Sequence, residues 1–133
     1  MQRTVASDRT LALLLELDQP EIAAAMDEID RHRPGMYFDR DGEEITMGQW
    51  SILFGHKPYQ ILQQDHVGPY FVSTVWLGMN HQWVDGPPMI FETMVFGPGG
   101  DDETTDRYPS EDDALAGHER RLDQVRLLFS VRE

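Results

Sequence analysis

Glu92 and His118 are the two side chains whose types and settings best fit an acid–base pair. Glu92 lies in the segment 89–96 (MIFETMVF), where strand alternation puts it on a face with apolar neighbours, so its carboxylate needs a partner. His118 lies in the apolar stripe of a C-terminal helical pattern that also contains Leu115, Leu122, Val125 and Phe129. If that helix packs on the strand, the sequence predicts a contact between Glu92 and His118. The contact would serve as a catalytic acid–base pair in a pocket, or as a structural pair that fixes the position of the helix, which is the commoner use.

The loop before this segment contains possible metal ligands. His81 and Asp85, joined by Glu92 or His118, would form a site of histidines and carboxylates. Their spacing matches no closed ligand motif, so the sequence predicts neither a bound metal nor another cofactor. Trp83 in the same loop would cover the core or contact a partner protein.

Acidic side chains form a third candidate site. Residues 101–113 hold seven acids and one arginine; the acids are Asp101, Asp102, Glu103, Asp106, Glu111, Asp112 and Asp113. Residues 39–44 add four more. If the two segments lie on one face, their carboxylates would imitate the phosphates of a nucleic acid and occupy a basic groove on another protein. The alternative is a solvated surface that keeps a small protein soluble, which is the commoner use of such charge.

Composition excludes several classes of function. The 133 residues include 24 acidic and 11 basic side chains, a formal charge of −13, and no cysteine. Disulfides, thiolate zinc sites and thiol catalysis are therefore excluded, and the acidity argues against direct binding of nucleic acid. The longest uncharged apolar run is residues 11–15, too short to cross a membrane. The N-terminus does not resemble a signal peptide, and we expect a cytoplasmic protein.

The elements that must position these residues follow from local patterns. Two short helices are expected in residues 1–35, with Asp18 capping the second, and they would pack on the sheet or form a dimer interface; packing is favoured. Asp41-Gly42 predicts a hairpin, and Thr46 with Gln49 a capping box.

Strands are expected at 59–67, 70–77 and 89–96, and a last helix at 111–128. The strand at 89–96 is apolar on both faces, which favours a central position covered on each side. Residues 101–106 are expected to be mobile. The prediction is one α+β domain over residues 1–133, in which a helical N-terminal extension (1–35) precedes an α+β core (36–133) with an antiparallel sheet of about five strands.

Several segments resemble a family of small proteins from bacteriophages and actinobacteria. They are YFDRDG at 37–42, Trp50, VSTVWLG at 72–78, Asn80 with His81, PPMIFETMVF at 87–96, Arg107-Tyr108 and ALAGH at 114–118. The resemblance spans residues 36–125 and implies a viral or mobile-element origin. The function of that family is unknown, so the resemblance assigns no chemistry.

These observations support three hypotheses of function. The first is a non-enzymatic accessory protein, a monomer or homodimer, that binds a host protein with a basic surface and acts in host takeover or against host defence. The second is a small-molecule-binding protein or hydrolase with a pocket around Glu92 and His118. The third is a minor virion component. The sequence favours the first, because no strong catalytic motif is present.

Overall fold

A four-stranded antiparallel sheet forms the centre of the fold. Residues 6–29, 35–80, 86–100 and 102–132 are described by the structure, a computed structural model, except for the side chains of Asp102, Glu103 and Arg132. The helices are α1 (Asp8–Leu17), α2 (Pro20–Ile29), α3 (Met47–Phe54), α4 (Lys57–Gln60) and α5 (Glu111–Arg132). The strands are β1 (Tyr37–Phe38), β2 (Glu44–Ile45), β3 (Ile61–Val67), β4 (Tyr70–Trp76), β5 (Phe91–Phe96) and β6 (Asp102–Tyr108). The expected α+β class is confirmed, with four strands in the main sheet and a separate two-stranded hairpin.

The two N-terminal helices form as expected, but one predicted cap is wrong. Ser7 caps α1, since its side chain accepts a hydrogen bond from the Thr10 amide. Asp18 ends α1 in a left-handed conformation (φ 46°) and bonds through its amide to the Leu14 carbonyl. Asp18 is therefore the C-cap of α1. The helix α2 packs on α3, where Asp27 accepts a hydrogen bond from the Gly48 amide at 2.6 Å.

The hairpin and capping-box predictions at residues 36–49 are confirmed. Strands β1 and β2 pair across a turn in which Gly42 has a φ of +84°, a conformation that favours glycine. Thr46 and Gln49 exchange the two hydrogen bonds of a capping box at the start of α3. Both signals succeed because they depend on residues within four positions of one another.

The main sheet has the order β3-β4-β5-β6, with every pair antiparallel. The strand β5 is central, as the sequence predicts, and pairs with β4 and β6. The expectation of a mobile segment at 101–106 is wrong for the part that the structure describes, because Asp102–Tyr108 forms β6. Its charged side chains suit the edge of a sheet, where they discourage pairing with other chains.

The long helix α5 covers one face of the sheet and contacts all four strands. Gly117 lets α5 approach the sheet closely, since a Cβ atom there would collide with the ring of Tyr108. The core on this side includes Leu53, Trp76 and Phe91, each fully buried. In the described parts of the chain, no helix or second sheet packs on the opposite face, so the expectation that β5 is covered on both sides is wrong for one side.

None of the helices that the structure describes is long and apolar enough to span a bilayer.

Candidate functional site

His118 lies at the centre of a chain of hydrogen bonds between α5 and three strands. Its Nε2 lies 2.8 Å from Asp65 Oδ2 on β3, and its Nδ1 lies 2.7 Å from Thr74 Oγ1 on β4. Thr74 Oγ1 in turn lies 2.6 Å from Thr93 Oγ1 on β5. His118, Thr74 and Thr93 are fully buried. We call Asp65, Thr74, Thr93 and His118 the core network.

The proton positions in this network follow from the chemistry of its members. A carboxylate only accepts hydrogen bonds, so His118 Nε2–H donates to Asp65. In a neutral ring Nδ1 then accepts from the Thr74 hydroxyl, which in turn accepts from Thr93. The hydrogen bond from His118, with another from Gln63, lowers the pKa of the Asp65 carboxyl below its usual value. The network ends in solvent at Asp65, whose side chain is 39% exposed.

The predicted contact between Glu92 and His118 is wrong. Glu92 bonds to Arg107 on the neighbouring strand β6, with 3.2 Å between Oε2 and the guanidinium Nε. Alternation along β5 places Phe91, Thr93 and Val95 toward α5, and Glu92 toward the opposite face. The network partner of His118 through this strand is therefore Thr93.

The sequence reasoning missed Asp65, Thr74 and Thr93 as partners of His118. A signal for Thr74 exists in β4, where Val72, Thr74 and Trp76 alternate on one face and are fully buried. Asp65 carries no such signal, because β3 mixes polar and apolar side chains.

The order of carboxylate, imidazole and hydroxyl is that of a hydrolase triad, but the burial differs. A nucleophilic hydroxyl must reach a substrate, and Thr74 is fully buried and bonded to both His118 and Thr93. The exposed end of the chain is the carboxylate. The geometry therefore favours a structural role, in which the network fixes α5 on the sheet.

Several predicted site residues lie outside the described residues. These are His81, Trp83, Asp85 and Asp101, and the same holds for the side chains of Asp102 and Glu103. Their proposed roles in metal or partner binding stay predictions. Within the described part of the chain, no group of three histidine, aspartate or glutamate residues could hold a metal ion.

Acidic residues from three separate segments meet at one end of the molecule. The Arg9 guanidinium on α1 binds Asp41 Oδ1 at 2.6 Å in the β1–β2 turn and Glu111 Oε1 at 3.3 Å at the start of α5. Arg40 binds the same Glu111 oxygen at 2.8 Å. Asp8, Glu43, Asp112 and Asp113 are adjacent in sequence to these residues or in the same turn, and are exposed. We call Asp8, Asp41, Glu43, Glu111, Asp112 and Asp113 the acidic end.

Two carboxyls of the acidic end have lowered pKa values, so Asp41 and Glu111 are charged near neutral pH. The hydrogen bond from Arg9 lowers the pKa of Asp41. Burial acts to raise the pKa of Glu111, but the hydrogen bond from Arg40 and the two nearby guanidinium charges outweigh it, so this pKa is lowered as well. Asp112 and Asp113 form no ion pair with any described side chain.

Asp106, which the sequence predicts to bind a partner, forms an ion pair within the molecule. Its two carboxylate oxygens accept from Arg121 Nε at 2.6 Å and Nη2 at 2.8 Å, and this pairing lowers the pKa of Asp106. Asp106 therefore joins β6 to α5 and is not part of the acidic end.

A surface cavity of about 340 Å³ is lined by Asp18, Gln19, Pro20, Glu21 and Ile22. None of these belongs to the core network or the acidic end. No family model, curated protein or solved structure matches the chain.

Proposed function

We propose that the chain is a non-enzymatic accessory protein that binds a basic surface of another protein through the acidic end. The observation that carries the proposal is the convergence of α1, the β1–β2 turn and the start of α5, joined by Arg9 and Arg40. The sequence left open whether residues 39–44 and 101–113 share a face. The structure joins Asp41 to Glu111 through Arg9.

The charge of this end is not neutralised by the residues that hold it together. The six carboxylates of the acidic end outnumber the guanidinium groups of Arg9 and Arg40, which leaves a formal charge of −4. Elsewhere, Arg107, Arg121 and Arg126 are already paired with carboxylates of the same chain. A concentrated, uncompensated negative potential attracts a positively charged partner and steers its approach.

The resemblance to bacteriophage and actinobacterial proteins supports a host protein as the partner. A protein that normally holds nucleic acid presents a basic groove, and carboxylates at the acidic end would occupy the places of phosphates there. The viral or mobile-element origin that the resemblance implies supports action in the host cytoplasm, in host takeover or against a defence system.

Two triple variants with equal charge change test the proposal. The first changes the acidic end: Glu43→Gln, Asp112→Asn and Asp113→Asn. The control changes exposed acids of α1 and α2: Glu16→Gln, Glu21→Gln and Glu28→Gln. Proteins captured from host lysate by the wild type and by each variant are quantified by mass spectrometry at low and high salt.

We expect one basic protein to bind the wild type and the control, and to be lost from the acidic-end variant and at high salt, because salt screens exposed charges. Equal loss from both variants would show that only total charge matters. Equal retention by both would contradict the proposal directly.

The two alternative functions have less support. A pocket built around Glu92 and His118 is not favoured, because the two side chains bond to different partners on opposite faces of the sheet. A virion component stays a prediction from the resemblance alone.

A further inference from the structure

The face of the main sheet that points away from α5 carries several half-buried apolar side chains. Alternation and strand register place eleven described side chains on it: Ile61, Gln64, His66, Phe71, Ser73, Val75, Glu92, Met94, Phe96, Thr105 and Arg107. We call this surface the open face. Its apolar side chains are Phe71, Val75, Met94 and Phe96 on the two inner strands and Ile61 on β3, while Ser73 and Glu92 on the inner strands and the remaining side chains on the edge strands are polar.

An antiparallel sheet with one solvated face normally carries polar side chains there. The open face departs from this pattern at one end of the two inner strands, where Phe71 stacks on Phe96 with ring centroids 6.0 Å apart and on His66 at 4.5 Å. Within the described chain, α4 and α5 pack on this sheet, and neither helix lies on the open face. An apolar surface of this kind marks an interaction site.

We propose that the open face binds the open face of a second copy of this chain, forming a two-fold symmetric dimer. Electrostatics favours a second copy as the partner. In a two-fold interface the same surface meets itself, so any net charge on it repels its own copy. With a total charge of −13, the chain can dimerise in this way only through a surface that is close to neutral.

The open face meets that condition. Its only two formally charged described side chains, Glu92 and Arg107, neutralise each other in an ion pair. A strongly basic partner would find little to attract it here and would instead be drawn to the acidic end. Two sheets packed face to face, with interdigitated side chains about 10 Å apart between backbones, are a common arrangement.

The size of the surface predicts a weak dimer. Four strands spaced by about 4.8 Å and six residues rising about 3.3 Å each give a face of roughly 400 Å² per copy. The total of roughly 800 Å² lies below the range of stable complexes, so the association should depend on protein concentration. Salt should strengthen it, since screening reduces the repulsion between two acidic copies. This salt dependence is opposite to that of a basic partner at the acidic end, so the two proposals can fail separately.

Sedimentation velocity of the full chain, from low to high micromolar concentration and at low and high salt, tests the proposal. Met94→Asp places a charge at the centre of the open face, and Leu15→Asp is the control on α1, where the side chain is 80% exposed. Met94→Thr is a milder second variant in case the charge impairs folding, and circular dichroism checks the fold of each.

We expect the wild type and Leu15→Asp to dimerise more at high concentration and at high salt. Met94→Asp should weaken the dimer by about a hundredfold, because each interface would contain two buried like charges. A wild type that stays monomeric at the highest concentration in high salt would overturn the proposal. So would a dimer that persists in both Met94 variants, or one that Leu15→Asp disrupts equally.

Discussion

The core network predicts unequal costs for removing its two threonine hydroxyls. Thr74→Val keeps the shape of the side chain but removes the hydroxyl that joins His118 to Thr93. Nδ1 of His118 and the hydroxyl of Thr93 would both lose their partner inside a fully buried site. An unsatisfied buried polar group costs about 1–3 kcal/mol, so we expect Thr74→Val to lower the free energy of unfolding by about 3 kcal/mol.

Thr93→Val should cost much less. It removes a hydroxyl that bonds only to Thr74, and Thr74 keeps its bond to His118. The expected loss is about 1 kcal/mol, the net contribution of one ordinary hydrogen bond. In the double variant only Nδ1 of His118 is left unsatisfied, so we expect a loss of about 2 kcal/mol, less than that of Thr74→Val alone.

Urea unfolding of the four proteins, followed by circular dichroism near neutral pH, measures these free energies. Ser73→Ala serves as a control in the same strand, since Ser73 faces away from α5 and accepts a hydrogen bond from Gln64 at 3.0 Å. We expect that variant to lose less than about 1 kcal/mol. Equal losses for Thr74→Val and Thr93→Val, or losses that add in the double variant, would refute the hydrogen-bond order of the network.

Two further predictions concern the packing of α5 on the sheet. The His118 hydrogen bond lowers the pKa of Asp65, so this carboxyl stabilises the fold above its unfolded-state pKa of about 3.9, and the contribution disappears as the pH falls through the lower folded-state value. Asp65→Asn should therefore be less stable than the wild type near neutral pH and equally stable well below that range, and a difference that persists in acid would contradict this. Gly117→Ala should destabilise by about 1–2 kcal/mol in urea unfolding, because the added methyl group displaces the Tyr108 ring; a gain in stability from helix propensity would show that the ring moves freely.

The parts of the fold that the sequence predicted depend on short-range signals. The turn at Gly42, the capping box at Thr46 and the start of α5, where Ser110 accepts from the Asp113 amide at 3.2 Å, all involve neighbouring residues. The strand β6 was missed because its acidic side chains suit an edge strand as well as a mobile loop. Only pairing with β5, which the chain reaches through the turn after Phe96, decides between them.

The candidate site was predicted only in part, because it also depends on contacts between residues that are far apart in the sequence. The sequence identified His118 as a helix residue facing the sheet, and this is confirmed by its burial between α5 and the strands. The choice between Glu92 and Thr93 as the strand residue facing it required knowing which side of β5 meets the helix. Asp65 comes from an edge strand 53 positions away, and no local pattern connects it to His118.

The wrong prediction for Glu92 and the proposal of a dimer both follow from the way polar and apolar side chains are distributed between the two faces of the sheet. Thr74 and Thr93 lie under α5 on the two inner strands, while Phe71 and Phe96 lie on the side that α5 does not cover. The usual rule that apolar side chains mark the covered face therefore fails at these two pairs, although Val72, Trp76 and Phe91 follow it. The inward hydroxyls are explained by the core network, in which Thr74 bonds to His118 and Thr93 bonds to Thr74. The outward aromatic side chains have no such explanation within the described chain, and a second open face supplies one.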